Sequence, residues 1–167
     1  MSQTDENLKA AFAGESQANR KYLAFSKKAD ADKLPGIARL FRAAAAAETI
    51  HAHNHLDVMG SVKTTKENLE AAAAGEAAEF EEMYPEFLEQ AEKDGDNGAR
   101  ESFDYANQVE KIHHGLYQEA GRTLAEGSDL PENEMNVCPV CGNTFAGEAP
   151  ERCPICRTPK SRFILIG

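Results

Sequence analysis

The chain has 167 residues, with 28 acidic and 18 basic side chains and a formal net charge of -10. This length suits one main domain with a small appendage. The acidic excess argues against a nucleic-acid partner, because phosphate binding needs clustered cations. No stretch approaches the ~18 apolar residues of a membrane helix, and the first ten residues lack the basic head and apolar run of a secretory signal. We therefore expect a cytoplasmic protein without a membrane or nucleic-acid partner.

Four helices are predicted in the first part of the chain, which is rich in the helix formers Ala, Glu, Lys, Leu and Gln. They span about residues 4–31, 36–59, 74–94 and 97–126. Short breaks within the first and the last pair predict antiparallel neighbours. Residues 60–73 predict a long crossover between the second and third helices, in which Thr64 and Glu67 form a capping box for a short helical piece.

Two of these helices carry the pattern Glu-x-x-His on their apolar stripe, as Glu48 to His51 and as Glu110 to His113. Residues three apart are neighbours on a helix face, so each pair can present a carboxylate and an imidazole to one centre. A third helix places Glu15 in the middle of its apolar stripe. One such pattern alone is usually a solvated face, but two on core stripes together with Glu15 predict a buried metal site.

Buried carboxylates without partners would cost several kcal/mol each, so the predicted site needs cations. Glu79 and Glu82 border the apolar stripe of the third helix and complete a set of five carboxylates. Two divalent metals would nearly balance that charge. Oxygen and imidazole ligands favour iron or manganese and also accept zinc. Tyr22, two turns from Glu15, is interpreted either as ordinary core or as a hydrogen-bond partner of a ligand carboxylate. His55, one turn beyond His51, is interpreted as a structural residue rather than as a group that supports a ligand.

All four cysteines lie in the last part of the chain, in two Cys-x-x-Cys motifs: Cys138, Cys141, Cys153 and Cys156. This spacing is typical of a tetrahedral four-thiolate metal site, which suits zinc or iron. Five of the seven prolines follow Leu130. We therefore predict a helical domain at residues 1–127, a linker at 128–134 and a four-cysteine module at 135–167.

Over nearly the whole chain these motifs resemble the rubrerythrin family: Glu15 with Tyr22, Glu48-x-x-His51, Glu79-x-x-Glu82-Met83-Tyr84-Pro85, Glu110-x-x-His113 and the cysteine tail. The resemblance implies a mainly α fold, with a ferritin-like four-helix bundle and a rubredoxin-like module. It implies two irons held by Glu15, Glu48, Glu79, Glu110 and His113 and a third held by the cysteines, with zinc as a possible substitute at either site.

The resemblance also implies a hydrogen peroxide reductase that serves oxidative-stress defence. His51 and Glu82 would alternate as ligands of one iron, with Tyr22 beside the reacting centre. Electrons would come through the cysteine iron from a rubredoxin or a reductase dependent on NADH or NADPH. A head-to-tail homodimer is expected.

Two departures from rubredoxins occur in the module: Arg157 follows Cys156 where glycine is usual, and Phe145 and Phe163 must form the aromatic core without tryptophan. A glycine-like backbone angle is expected to strain Arg157. Two other functions compete with peroxide reduction: iron oxidation and storage, as in ferritins, and a binding scaffold carrying a zinc ribbon.

Overall fold

The computed structural model describes residues 2–167 and is mainly α-helical. Its helices are α1 Gln3–Ala31, α2 Pro35–Val58, α3 Thr65–Ala78, α4 Tyr84–Asp94 and α5 Asn97–Ala125, with a π-helical turn, Glu79–Met83, between α3 and α4. The strands are β1 Met135–Val137, β2 Thr144–Ala146 and β3 Ile164–Ile166, with a short 3₁₀ helix at Lys160–Arg162. The chain forms two compact units, which divide between Lys63 and Thr64.

The first unit is the hairpin of α1 and α2. Ser2 caps α1 in a capping box with Asp5, and α2 begins at Pro35, whose fixed φ suits a first helical position. Small buried residues line one face of α2 at heptad spacing: Ala38, Ala45 and Ala52. They leave room for the buried amide of Asn19, which donates hydrogen bonds to Ala45 O (2.7 Å) and Thr49 Oγ1 (2.8 Å). The hairpin therefore has a partly polar interior.

In the second unit, helix begins earlier than predicted. The capping box of Thr64 and Glu67 starts α3 itself, so the crossover is confined to residues 59–64 rather than 60–73. The predicted third helix is longer than expected and is interrupted by the π turn. Gly95 ends α4 with φ 68°, a left-handed angle that glycine adopts without strain. The side chain of Asp96 then caps α5 by accepting from Ala99 N.

The cysteine module belongs to the second unit. Its antiparallel sheet has the order β2-β1-β3, with Asn136 opposite both Phe145 and Leu165. The rings of Phe145 and Phe163 stack with centroids 5.4 Å apart, which confirms the expected aromatic core. Residues 128–134 contain no helix or strand. The proposed domain limits at 127 and 135 stay a prediction, because the compact units divide elsewhere.

Within residues 2–167, no helix combines the length and the apolar character that crossing a bilayer requires.

Candidate metal centres

The first ligand group lies in the α1–α2 hairpin and consists of Glu15, Glu48 and His51. Each offers a ligand atom, and these atoms lie within 4.8 Å of one another. His51 Nδ1 is 2.9 Å from Glu48 Oε2. The Glu48 side chain is 18% exposed and that of His51 is 52% exposed, so the group is open to solvent on its histidine side. The structure thus brings together all three residues that the sequence predicted for this hairpin.

The second ligand group lies in the other unit and consists of Glu76, Glu110 and His113, with ligand atoms again within 4.8 Å of one another. His113 Nδ1 lies 2.8 Å from Glu110 Oε2 and 3.8 Å from Glu76 Oε1. Glu76 was not among the predicted ligands. It stands three residues before Glu79 near the end of α3, and this Glu-x-x-Glu spacing is the signal that identifies it.

The carboxylates around the second ligand group repel one another. Burial and the charge of Glu110 raise the pKa of Glu76 and of Glu79 above their ordinary values. Tyr84, at the start of α4, is close enough that burial and then the charges of Glu79, Glu110 and Glu76 raise the pKa of its hydroxyl. A divalent cation would relieve this crowding of negative charge.

Hydrogen bonding at His113 also supports a bound cation in the second ligand group. Its other ring nitrogen, Nε2, lies 2.9 Å from Thr144 Oγ1, and that hydroxyl lies 3.2 Å from Gly142 O and donates to it. If the hydroxyl donates its proton to Gly142 O, then Nε2 of a neutral His113 is the donor to Thr144. Neutral His113 then turns an unprotonated Nδ1 toward the Glu110 carboxylate. Two acceptors at this distance require a proton or a metal cation, so the donor set fits a metal.

The remaining predicted residues lie outside the two groups. Glu82 is exposed and lines a cavity of about 320 Å³ with Glu79, Met83 and Glu86. Tyr22 packs among aromatic rings, 6.3 Å from those of Phe25 and Phe41.

The four cysteines form the third group, with their sulfur atoms within 4.8 Å of one another, as predicted. Cys138 and Cys153 are buried, and the pairs Cys138–Cys156 and Cys141–Cys153 lie 3.4 and 3.5 Å apart. The backbone makes two matching loops: Gly142 N donates to Cys138 O, and Arg157 N donates to Cys153 O, each at 2.9 Å. Both loop residues have positive φ.

That angle is 84° at Gly142 and 65° at Arg157, so the expected glycine-like conformation of Arg157 is confirmed. Burial raises the pKa of Cys141. At Cys156 burial acts in the same direction, but bonds from the Thr158 hydroxyl and backbone and from other cysteines outweigh it and lower the pKa to about 6. A thiolate is thus available for a metal near neutral pH.

Comparison with known proteins covers both parts of the chain. The family model described as rubrerythrin matches residues 6–121, and the rubrerythrin rubredoxin-like domain matches residues 136–164. Rubrerythrin-2 of Clostridium acetobutylicum is 37% identical, with 96% of this chain and 95% of that protein covered. Nigerythrin of Nitratidesulfovibrio vulgaris is also 37% identical, covering 96% and 85% of the two chains.

A solved structure of nigerythrin in a partially reduced state aligns with a TM-score of 0.60 at 34% identity, covering 99% of this chain and 88% of that one. Rubrerythrin homologues carry a di-iron site and an FeCys4 site, and the ligand groups supply donors of both kinds. The chain therefore belongs to the rubrerythrin family, whose members are generally peroxide-detoxifying di-iron proteins.

Proposed function

We propose that this protein reduces hydrogen peroxide to water in defence against oxidative stress. The observation that carries the proposal is the presence of two carboxylate–histidine groups together with a four-thiolate group in one chain. Carboxylate and histidine donors suit irons that react with oxygen species, and thiolate donors suit an iron that passes on single electrons.

We assign one reacting iron to each of the two carboxylate–histidine groups, with Glu79 as a further ligand of the second group. Two ferrous irons bound there would supply the two electrons that, with two protons, convert one peroxide molecule into two molecules of water. The carboxylates and imidazoles of the two groups would hold these cations, and hydrogen bonds with Glu48 and Glu110 keep His51 and His113 oriented. The raised pKa of the Glu76 and Glu79 carboxyls favours proton uptake there once a cation no longer compensates their charge.

The cysteine group would take its electron from a partner such as a rubredoxin or a nicotinamide-dependent reductase. Cys141 and Cys156 are only partly buried, which supports access for a donor protein. A head-to-tail homodimer and a cytoplasmic location stay proposals as well.

The exchange of His51 for Glu82 at one iron is a further proposal. The exposure of His51 fits a ligand that leaves its metal, but Glu82 lies outside both ligand groups. Glu76 Oε1 lies 3.8 Å from His113 Nδ1, and burial together with the charge of Glu110 raises the pKa of both Glu76 and Glu79. We therefore propose Glu76 as an iron ligand. Substitutions of Glu76 and of Glu82 can be compared to show which carboxylate binds iron.

Stopped-flow mixing of the anaerobically reduced, iron-loaded protein with peroxide tests the proposal. Peroxide should oxidise the irons rapidly, and the colour of the oxidised cysteine iron should return in the same experiment. A much faster reaction with dioxygen would count against peroxide as the substrate. A large hollow oligomer that accumulates many irons per chain would favour storage. A colourless iron-grown protein without peroxidase activity would favour the zinc scaffold.

A further inference from the structure

The cysteine module contacts α5 along one stripe of that helix. Val109 is buried on this stripe, and a Cβ built on Gly142 would lie 3.9 Å from Val109 Cγ1. Tyr105 lies four residues earlier. Its hydroxyl pKa is raised first by the hydrogen bond to Glu101, and the charges of Cys156 and Cys141 add to this increase. His113 is four residues after Val109 and therefore lies on the same stripe. A ligand of the second group thus faces the module of its own chain.

The side chain of Thr144 connects His113 with the cysteine module. Thr144 begins β2, two residues after Gly142. Its hydroxyl oxygen lies 2.9 Å from His113 Nε2, and the hydroxyl donates to Gly142 O at 3.2 Å. Gly142 is bonded directly to Cys141, and its own N–H donates to Cys138 O. A short chain of hydrogen bonds therefore connects the backbone loop around two cysteines with the imidazole of His113.

We propose that Thr144 is a positioning residue, which holds the Nε2 proton of His113 so that Nδ1 becomes the metal-binding atom, and which couples the second ligand group to the four-cysteine site. The inference rests on the metal-binding role proposed for His113. A hydrogen bond on the second nitrogen of a ligand histidine fixes its tautomer and its ring orientation. The same contact gives electrons a path from the cysteine group to the second ligand group of the same chain.

The matched substitutions are T144V and T144S. Valine keeps the branched shape and suits a strand but lacks the hydroxyl, whereas serine retains the hydroxyl. S161A is the control, because Ser161 is an exposed hydroxyl residue of the same module. Zinc serves as the probe metal, since the loaded protein is diamagnetic and its histidine nitrogens can be distinguished by ¹⁵N NMR.

In zinc-loaded wild type, His113 should show a metal shift at Nδ1 and a slowly exchanging proton at Nε2. T144V should lose the slow exchange and bind metal at the second ligand group about 10-fold more weakly in competition with a chelator. T144S should resemble wild type, as should S161A. In iron-loaded T144V, reoxidation of the cysteine iron after peroxide addition should slow, while its absorption spectrum stays unchanged.

The inference is overturned if wild-type His113 binds zinc through Nε2, a result that needs no variant. Wild-type metal affinity and slow proton exchange in T144V would also overturn it, and so would failure of serine to restore them. If T144V does not fold, the wild-type NMR measurement and T144S still decide the question. Zinc that leaves the His113 resonances of wild type unchanged would instead refute the proposed ligand role.

Discussion

The two carboxylate–histidine groups are built from the same pattern but are supported differently. Each combines one glutamate with a Glu-x-x-His pair. Within each pair, the histidine Nδ1 lies 2.8–2.9 Å from a carboxylate oxygen of the pair's own glutamate. His51 is 52% exposed, and Glu48 is its one hydrogen-bonding partner within residues 2–167. His113 is 26% exposed and is also bonded to Thr144. The pattern therefore places the ligands, and the neighbouring residues decide how firmly each histidine is held.

The largest expected effect is shared by both groups. E48Q and E110Q each remove one negative ligand while keeping the side-chain shape, so each should lower peroxidase kcat by about 100-fold, or ~2.7 kcal/mol. Each variant should lose metal from its own group first. Metal analysis and steady-state kinetics measure the two effects. E92Q, an exposed change on α4, is the control, and wild-type activity in either ligand variant would refute its assignment.

The second prediction separates the groups. H113A removes the more buried and better anchored histidine, so we expect it to weaken metal binding at its own group about 10-fold more than H51A does. Chelator competition with each variant provides the comparison. Equal losses would mean that the contact with Thr144 and the lower exposure of His113 do not matter for the metal.

A third prediction concerns stability of the first unit alone. N19A removes both hydrogen bonds made by the buried amide of Asn19, so it should cost about 1–3 kcal/mol. The expected fall in Tm is about 3–10 °C. Thermal unfolding of the metal-free protein measures it, with N54A on the exposed face of α2 as the control. A Tm equal to that of the control would show that the polar interior of the hairpin is not stabilising.

The smallest effect concerns the pH dependence of the metal-free second unit. The pKa of Glu76 is raised in the folded chain, so its favourable contribution is present below the ordinary glutamate pKa of 4.5 and is lost as pH rises through the higher folded value. E76Q should therefore raise the Tm of metal-free protein by about 2 °C at pH 7 and leave it unchanged at pH 4. E82Q should change neither value, and a lower Tm for E76Q at pH 7 would contradict this electrostatic account.

Most of the fold could be predicted because its helix limits have local causes. The breaks near Pro35 and Gly95 and the capping box at Thr64 are visible in the sequence, and the structure places helix ends at these residues. The continuity of helix from Thr65 to Asp94 was not predicted. Alanine-rich α3 has no clear apolar stripe, and its burial depends on packing against α5.

The sequence-based ligand assignment, which stays a prediction, agrees with the ligand groups where the helix period is regular and differs from them at the π turn. The π turn at Glu79–Met83 alters the hydrogen-bond spacing, so residues before and after it do not share the face expected for a continuous α-helix. Glu76 precedes this turn and shares a ligand group with Glu110 and His113, whereas Glu82 lies within the turn and is exposed. The contact between His113 and Thr144 depends on docking of the module, which residue spacing does not determine.

Mössbauer spectroscopy of protein loaded with ⁵⁷Fe tests the central claim most directly, because it distinguishes thiolate-bound iron from iron with oxygen and nitrogen ligands. The proposed function predicts one iron of the first kind and two of the second per chain, all ferrous after reduction and all ferric after peroxide addition. Iron restricted to the cysteines, or carboxylate-bound iron that stays ferrous in the presence of peroxide, would contradict it.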